Sequence, residues 1–100
     1  MLDIVYRPKV LEQIDAISNY TIAEWGHTQA KHYVANLRRQ IQFAAEFPGI
    51  GSEVIGLPVQ YRKVRSGTHR IIYRFDDSQL LVVAIIHERE DMPEDFDDVR

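Results

Sequence analysis

The sequence predicts one α+β domain: an N-terminal strand and an antiparallel two-helix hairpin packed on one face of a small antiparallel β-sheet. Two stretches before residue 48 repeat apolar residues at helical spacing. Beyond residue 58 the period shortens to that of strands, with turn residues between the runs. The joints inside each half are only a few residues long, which makes sequential neighbours antiparallel.

Residues 2–7 alternate weakly and read as a short strand joining the sheet. Pro8 suits the first turn of a helix, where a missing N–H is harmless. Val10, Ile14, Ile17, Thr21 and Trp25 then mark one face of a helix over 9–25. Gly26 is its stop, a left-handed cap. Thr28 is placed to cap a second helix over 28–47, with Ala30, Val34, Leu37, Ile41 and Ala44 as its inner face. Pro48-Gly49 ends it. Trp25, at the end of the first apolar face, is expected to pack, as is Tyr20. Residues 49–58 read as a loop. Strands are expected over 59–66, 68–76 and 79–87, turning at Ser66-Gly67 and Asp76-Asp77-Ser78. Leu80 to Ile86 is apolar on both faces and should form the central strand.

One hundred residues suit a single domain over 1–100. The composition, 45% hydrophobic and 27% charged, is that of a globular protein. No apolar run nears the roughly 20 residues that span a bilayer, so no membrane role is expected. The start lacks the features of a signal peptide. There are no cysteines, which excludes a disulfide framework and thiolate catalysis and suits a cytoplasmic location. The net charge of -3 conceals a split. A mildly basic body is followed, from about residue 88, by an acidic tail. Direct sequence-specific DNA binding is not expected, because affinity for nucleic acid comes from neutralising phosphates.

Chemistry is concentrated in the second half. Arg62, Lys63, Arg65, Arg70 and Arg74 follow one another with no acid between Val59 and Phe75. Alternation groups Arg62 with Val64, and Arg70 with Ile72 and Arg74. Arg89 follows the last strand. This reads as a cationic patch on the side of the sheet opposite the hairpin, suited to carboxylates or phosphates. A solvated sheet face with edge-blocking charges is the plainer alternative. His27 and His32 are wrongly spaced for two ligands on one helical face, and His69 and His87 fall on different strands. No metal or cofactor is expected. His87 ends an apolar strand and reads as a packed, hydrogen-bonded residue. No serine sits in a nucleophile motif, and there is no phosphate-binding glycine loop.

An ordered set of motifs runs over about residues 3–92. It comprises Tyr20-Thr21, Glu24-Trp25-Gly26, Gln29-Ala30, Tyr33, Ala45 to Gly51, Tyr61-Arg62, Gly67 to Arg74 and Ile85 to Asp91. The set resembles the ParE branch of the ParE/RelE superfamily of bacterial toxins, known as plasmid stabilisation proteins. The resemblance implies a type II toxin that inhibits DNA gyrase by binding and forms a hetero-oligomer with a ParD-like antitoxin. RelE-like relatives are instead ribosome-dependent mRNA endonucleases, which is the alternative activity. Family matching puts Arg62, Arg70 and Arg89 at basic positions of a RelE-type catalytic site. The matching acid–base position falls near Asp95 and Phe96, and no Tyr or His follows His87. An anionic Asp repels phosphate, so the departure favours a binding toxin over an enzyme. Partner contacts are expected from Arg62, Val64, Arg70, Ile72, Arg74, His87 and Arg89.

Overall fold

The computed structural model describes residues 1–58 and 60–91. Strand β1 (Asp3–Tyr6) leads into helices α1 (Pro8–Trp25) and α2 (His27–Glu46), a 3-10 turn (Pro48–Ile50), and strands β2 (Ser52–Glu53), β3 (Tyr61–Ser66), β4 (His69–Phe75) and β5 (Gln79–His87). The expected helical hairpin and sheet are both present. Val59 lies outside the described residues, so the start of its strand is compared only from residue 60.

Pro8 occupies the first turn of α1, preceded by extended Arg7. Gly26 alone separates the helices. Its φ is +94° and its ψ 170°, a mirror-extended conformation rather than the expected left-handed helical cap. Its N–H reaches Ile22 O at 2.9 Å and its carbonyl accepts from Ala30 N–H at 3.2 Å. Thr28 is therefore not the cap: it lies inside α2, and no side chain caps that helix.

The sheet order is β1-β5-β4-β3-β2. All pairs are antiparallel except β1 with β5, which is parallel, from Asp3 opposite Gln79 to Tyr6 opposite Val82. The sheet is thus mixed. The short-connection argument never applied to that pair, because the hairpin and three strands separate them. β5 is interior, as its two apolar faces require, but β4 holds the middle position. Strand β2 is too short to show a period and falls within the expected loop.

Two apolar clusters lie on either side of the sheet. The helix-side cluster joins Val10, Ile14, Leu37 and Ile41 to Ile71, Tyr73 and Leu80. The other contains Val54, Tyr61, Ile72, Val83, Ala84 and Ile86. The expectation for Trp25 and Tyr20 is corrected. Their side chains are 73% and 66% exposed. Thr21 is the last residue of the α1 stripe to be buried, so the final turn of α1 carries its aromatic residues past the packed interface. The acidic tail is described only from Glu88 to Asp91, and the rest of it lies outside the described residues.

Candidate functional site

The expected cationic patch is divided between the two faces of the sheet. Register pairs Arg62 with Tyr73 and Val64 with Ile71, which puts Arg62 and Val64 on the helix side. Arg70 faces Ile86 across β5, and with Ile72 and Arg74 it lies on the other side, as alternation expects. Arg65 is directly opposite Arg70. His87 faces His69 on the helix side, and Arg89 sits in the turn after β5. The seven residues expected to contact a partner therefore do not form one surface.

Most of these arginines already have protein partners. Arg62 Nη1 donates to Gly51 O at 2.9 Å. Arg70 Nη2 donates to the carbonyls of Glu90 at 3.1 Å and Glu88 at 3.4 Å, tying down the turn after β5. Arg65 forms an ion pair with Glu88, which offsets the like charge of Arg70 beside it. The Arg74 guanidinium lies over the Tyr61 ring, 5.8 Å from its centroid.

Gly51 explains how Arg62 is held. A Cβ there would come within 2.6 Å of the Tyr73 hydroxyl and 2.8 Å of Lys63 O. Without one, Gly51 N–H reaches the Tyr73 hydroxyl at 3.1 Å, and that hydroxyl donates to Pro48 O at 2.6 Å. Burial pushes the Tyr73 pKa up, while the Gly51 N–H and Arg62 oppose the shift. The 3-10 turn is thereby fastened to the sheet.

A second feature lies at the closed end of the hairpin, beside the Gly26 turn. A groove of about 610 Å³ is lined by α1 residues including Ile17 and Tyr20, by Trp25, by Gln29 and Tyr33 of α2, and by Thr68, His69 and His87. The Tyr33 hydroxyl accepts from Thr68 N–H at 3.0 Å and lies 2.7 Å from His69 Nδ1. Burial lowers the His69 pKa from 6.5, His87 lowers it further, and Glu90 and Glu88 act the other way. The Tyr33 hydroxyl also donates to Ser66 O at 3.2 Å, so its one proton is shared between that carbonyl and the neighbourhood of His69 Nδ1. His87 Nδ1 accepts from Arg89 N–H at 3.1 Å. The His87 ring therefore keeps its Nδ1 as an acceptor and presents Nε2 outward. Among the described residues no group of three potential metal ligands occurs. The two rings meet edge to face with centroids 5.4 Å apart. His69 was not singled out by its sequence position. Its pairing with His87 across β4 and β5 becomes visible only with the strand register.

A model of the ParE toxin of type II toxin–antitoxin systems, parDE, matches residues 4–92. The chain belongs to the ParE toxin family. It is 32% identical over 75 residues to Toxin ParE1 of Caulobacter vibrioides, covering 75% of this chain and 77% of that one. It is 31% identical over 86 residues to Toxin ParE1 of Mycobacterium tuberculosis, covering 85% and 88%. The fold of this ParE-family chain is also that of a solved chain of the chromosomal ParDE TA system from P. aeruginosa, with a TM-score of 0.73, 15% identity and coverage of 87% and 96%. The YoeB dimer from Staphylococcus aureus gives 0.61 with 18% identity, covering 83% and 92%. The motif set that pointed to this family and the strand-and-hairpin architecture agree with these matches.

Proposed function

We propose that this ParE-family toxin inhibits DNA gyrase by binding it, without chemistry of its own, and is neutralised in the cytoplasm by a ParD-like antitoxin with which it forms a hetero-oligomer. The observation that carries this reading is the division of the arginines. RNA cleavage needs cations converging on one phosphate, with an acid–base group within reach. Arg62 lies on the helix side and is bonded to Gly51 O, whereas Arg70 lies on the far side and holds the carbonyls of Glu88 and Glu90. The His69–Tyr33 pair lies on the helix side, in a groove that no Arg or Lys lines among the described residues.

On this reading Arg70, Arg74 and their neighbours Lys63 and Arg65 offer charge to a protein partner from the face carrying Ile72. Arg62 and Val64 act from the opposite face, and His87 and Arg89 from the end of β5. Such rim charges govern association rate and salt response. The test is a supercoiling assay with purified gyrase. Inhibition by the pure protein, relieved by its antitoxin, is the expected result. Unaffected supercoiling at a large molar excess would remove gyrase as the target.

A further inference from the structure

We propose that the outer face of α2, from Arg39 to Phe47, binds a second copy of this chain, the two helices crossing antiparallel about Phe43. The inference does not depend on the function proposed above. Three large apolar side chains cluster where α2 ends: Phe43 is 44% exposed, Phe47 56%, and Ile50 of the 3-10 turn 51%. The Phe43 and Phe47 rings pack together, with centroids 5.2 Å apart. With Pro48 and Gly49 they line an open apolar surface. Exposed apolar side chains gathered in this way mark an interaction surface.

The charges around this cluster indicate what covers it. Arg39, Phe43 and Glu46 are all exposed and follow one another at helical steps of four and three residues, on one stripe of α2. The cation stands one turn before the Phe43 ring and the anion one turn after it. Such a stripe is its own complement. With a two-fold axis at Phe43, antiparallel helices set each Arg39 against the second copy's Glu46 and the second copy's Phe47. The guanidinium then meets a carboxylate and an aromatic ring together. Among the described residues neither Arg39 nor Glu46 forms an ion pair. Arg39 Nη1 donates to Asn36 Oδ1 at 3.2 Å, an exposed contact that is easily exchanged.

A shallow groove of about 300 Å³ runs beside the stripe, with Gln40, Phe43, Ile50 and Val64 in its lining. It lies where the antiparallel crossing brings the second copy's Phe47. A partner surface of one uniform charge fits less well, because it would meet a like charge at either the Arg39 or the Glu46 end. Two helical turns and a 3-10 turn make a small contact beside the roughly 800 Å² per partner of a standard interface. The dimer is therefore weak and forms at high concentration.

The experiment is sedimentation equilibrium of the intact protein alone, from about 5 to 500 μM, with circular dichroism to confirm that each variant is folded. The expected result is a reversible monomer–dimer equilibrium. Phe43→Ala should weaken it about tenfold. Arg39→Glu and Glu46→Arg, each at an exposed side chain, should weaken it about three- to tenfold, because each sets two like-charged pairs across the axis. An equimolar mixture of those two variants should dimerise as readily as the natural protein, since every 39–46 pair across the axis is then opposite in charge. Monomer throughout the range would overturn the proposal, and so would a dimer that Phe43→Ala leaves unchanged. Charge variants that weaken the dimer but do not rescue each other on mixing would overturn the antiparallel pairing. A monomeric protein whose binding to antitoxin or gyrase is weakened by Phe43→Ala would overturn the second copy in favour of a different protein on this face.

Discussion

The two faces of the sheet are built from the same strands and solve burial differently. The helix side is closed by α1 and α2, with Val10, Leu37 and Ile41 packed on Ile71, Tyr73 and Leu80. Its polar groups are taken up internally: the Tyr73 hydroxyl serves Gly51 and Pro48, and Tyr33 serves Thr68 and His69. The far side has a smaller apolar cluster around Ile72, beside which Arg70 and Arg74 spread their side chains. Long cationic side chains can cover apolar surface with their stems while their heads stay solvated. The contrast teaches that a run of arginines in sequence is not a surface. Strand alternation and local carbonyls decide which charges remain available to a partner.

The largest expected effect tests this contrast in packing. Leu37 and Ile72 are both fully buried. Leu37→Ala should cost about 2–5 kcal/mol, since a space closed by two helices and a sheet relaxes little. Ile72→Ala should fall near the low end, about 2 kcal/mol, because arginine stems can settle into the space. Denaturant midpoints measure both, and a larger loss at Ile72 would break the distinction.

Next in size is Gly51→Ala, expected to cost about 1–3 kcal/mol through the contacts its Cβ would make. Combining it with Tyr73→Phe sharpens the point. The pair should cost less than the sum of the single changes, because one of the two clashes is removed. Additive losses would show that the Lys63 carbonyl alone sets the penalty.

A smaller effect concerns acid. His69 has a lowered folded pKa, so in the acid range the unfolded chain binds more protons than the folded one. Its stabilising contribution is intact above about pH 6.5. It falls as the pH drops below that value and levels off below the folded pKa. Stability measured from pH 7.5 to 5 should decline less steeply in His69→Gln than in the natural protein. Equal slopes would place the acid sensitivity elsewhere. The smallest effect is Trp25→Ala, expected within about 1 kcal/mol because the ring is largely exposed. A loss of several kcal/mol would show that the hairpin end is packed.

Period and turn chemistry made the hairpin, β3, β4 and β5 legible, because each has enough residues to display its repeat. The parallel β1–β5 pair was not legible, since no short connection constrains it. The two residues of β2 hold no period at all. Trp25 continues the α1 stripe perfectly in spacing, yet spacing cannot reveal where the surface beneath a helix ends. The arginines were legible as charges and misplaced as a group: Arg62 went to the helix side because the sheet register sets it beside Tyr73. His69 was read only as lying on a different strand from His87, because its partners Tyr33 and His87 are distant in sequence and are brought to it by α2 and β5.

The central claim is that these arginines serve structure and binding rather than cleavage. A purified translation system with ribosome-bound message tests it most directly, mapped for cuts at codon resolution with the natural protein and with Arg70→Ala. The account predicts no cuts from either protein, at concentrations that inhibit supercoiling in the gyrase assay. Codon-specific cuts by the natural protein, reduced about 10²–10³-fold in rate by Arg70→Ala as for a lost electrostatic donor, would contradict it.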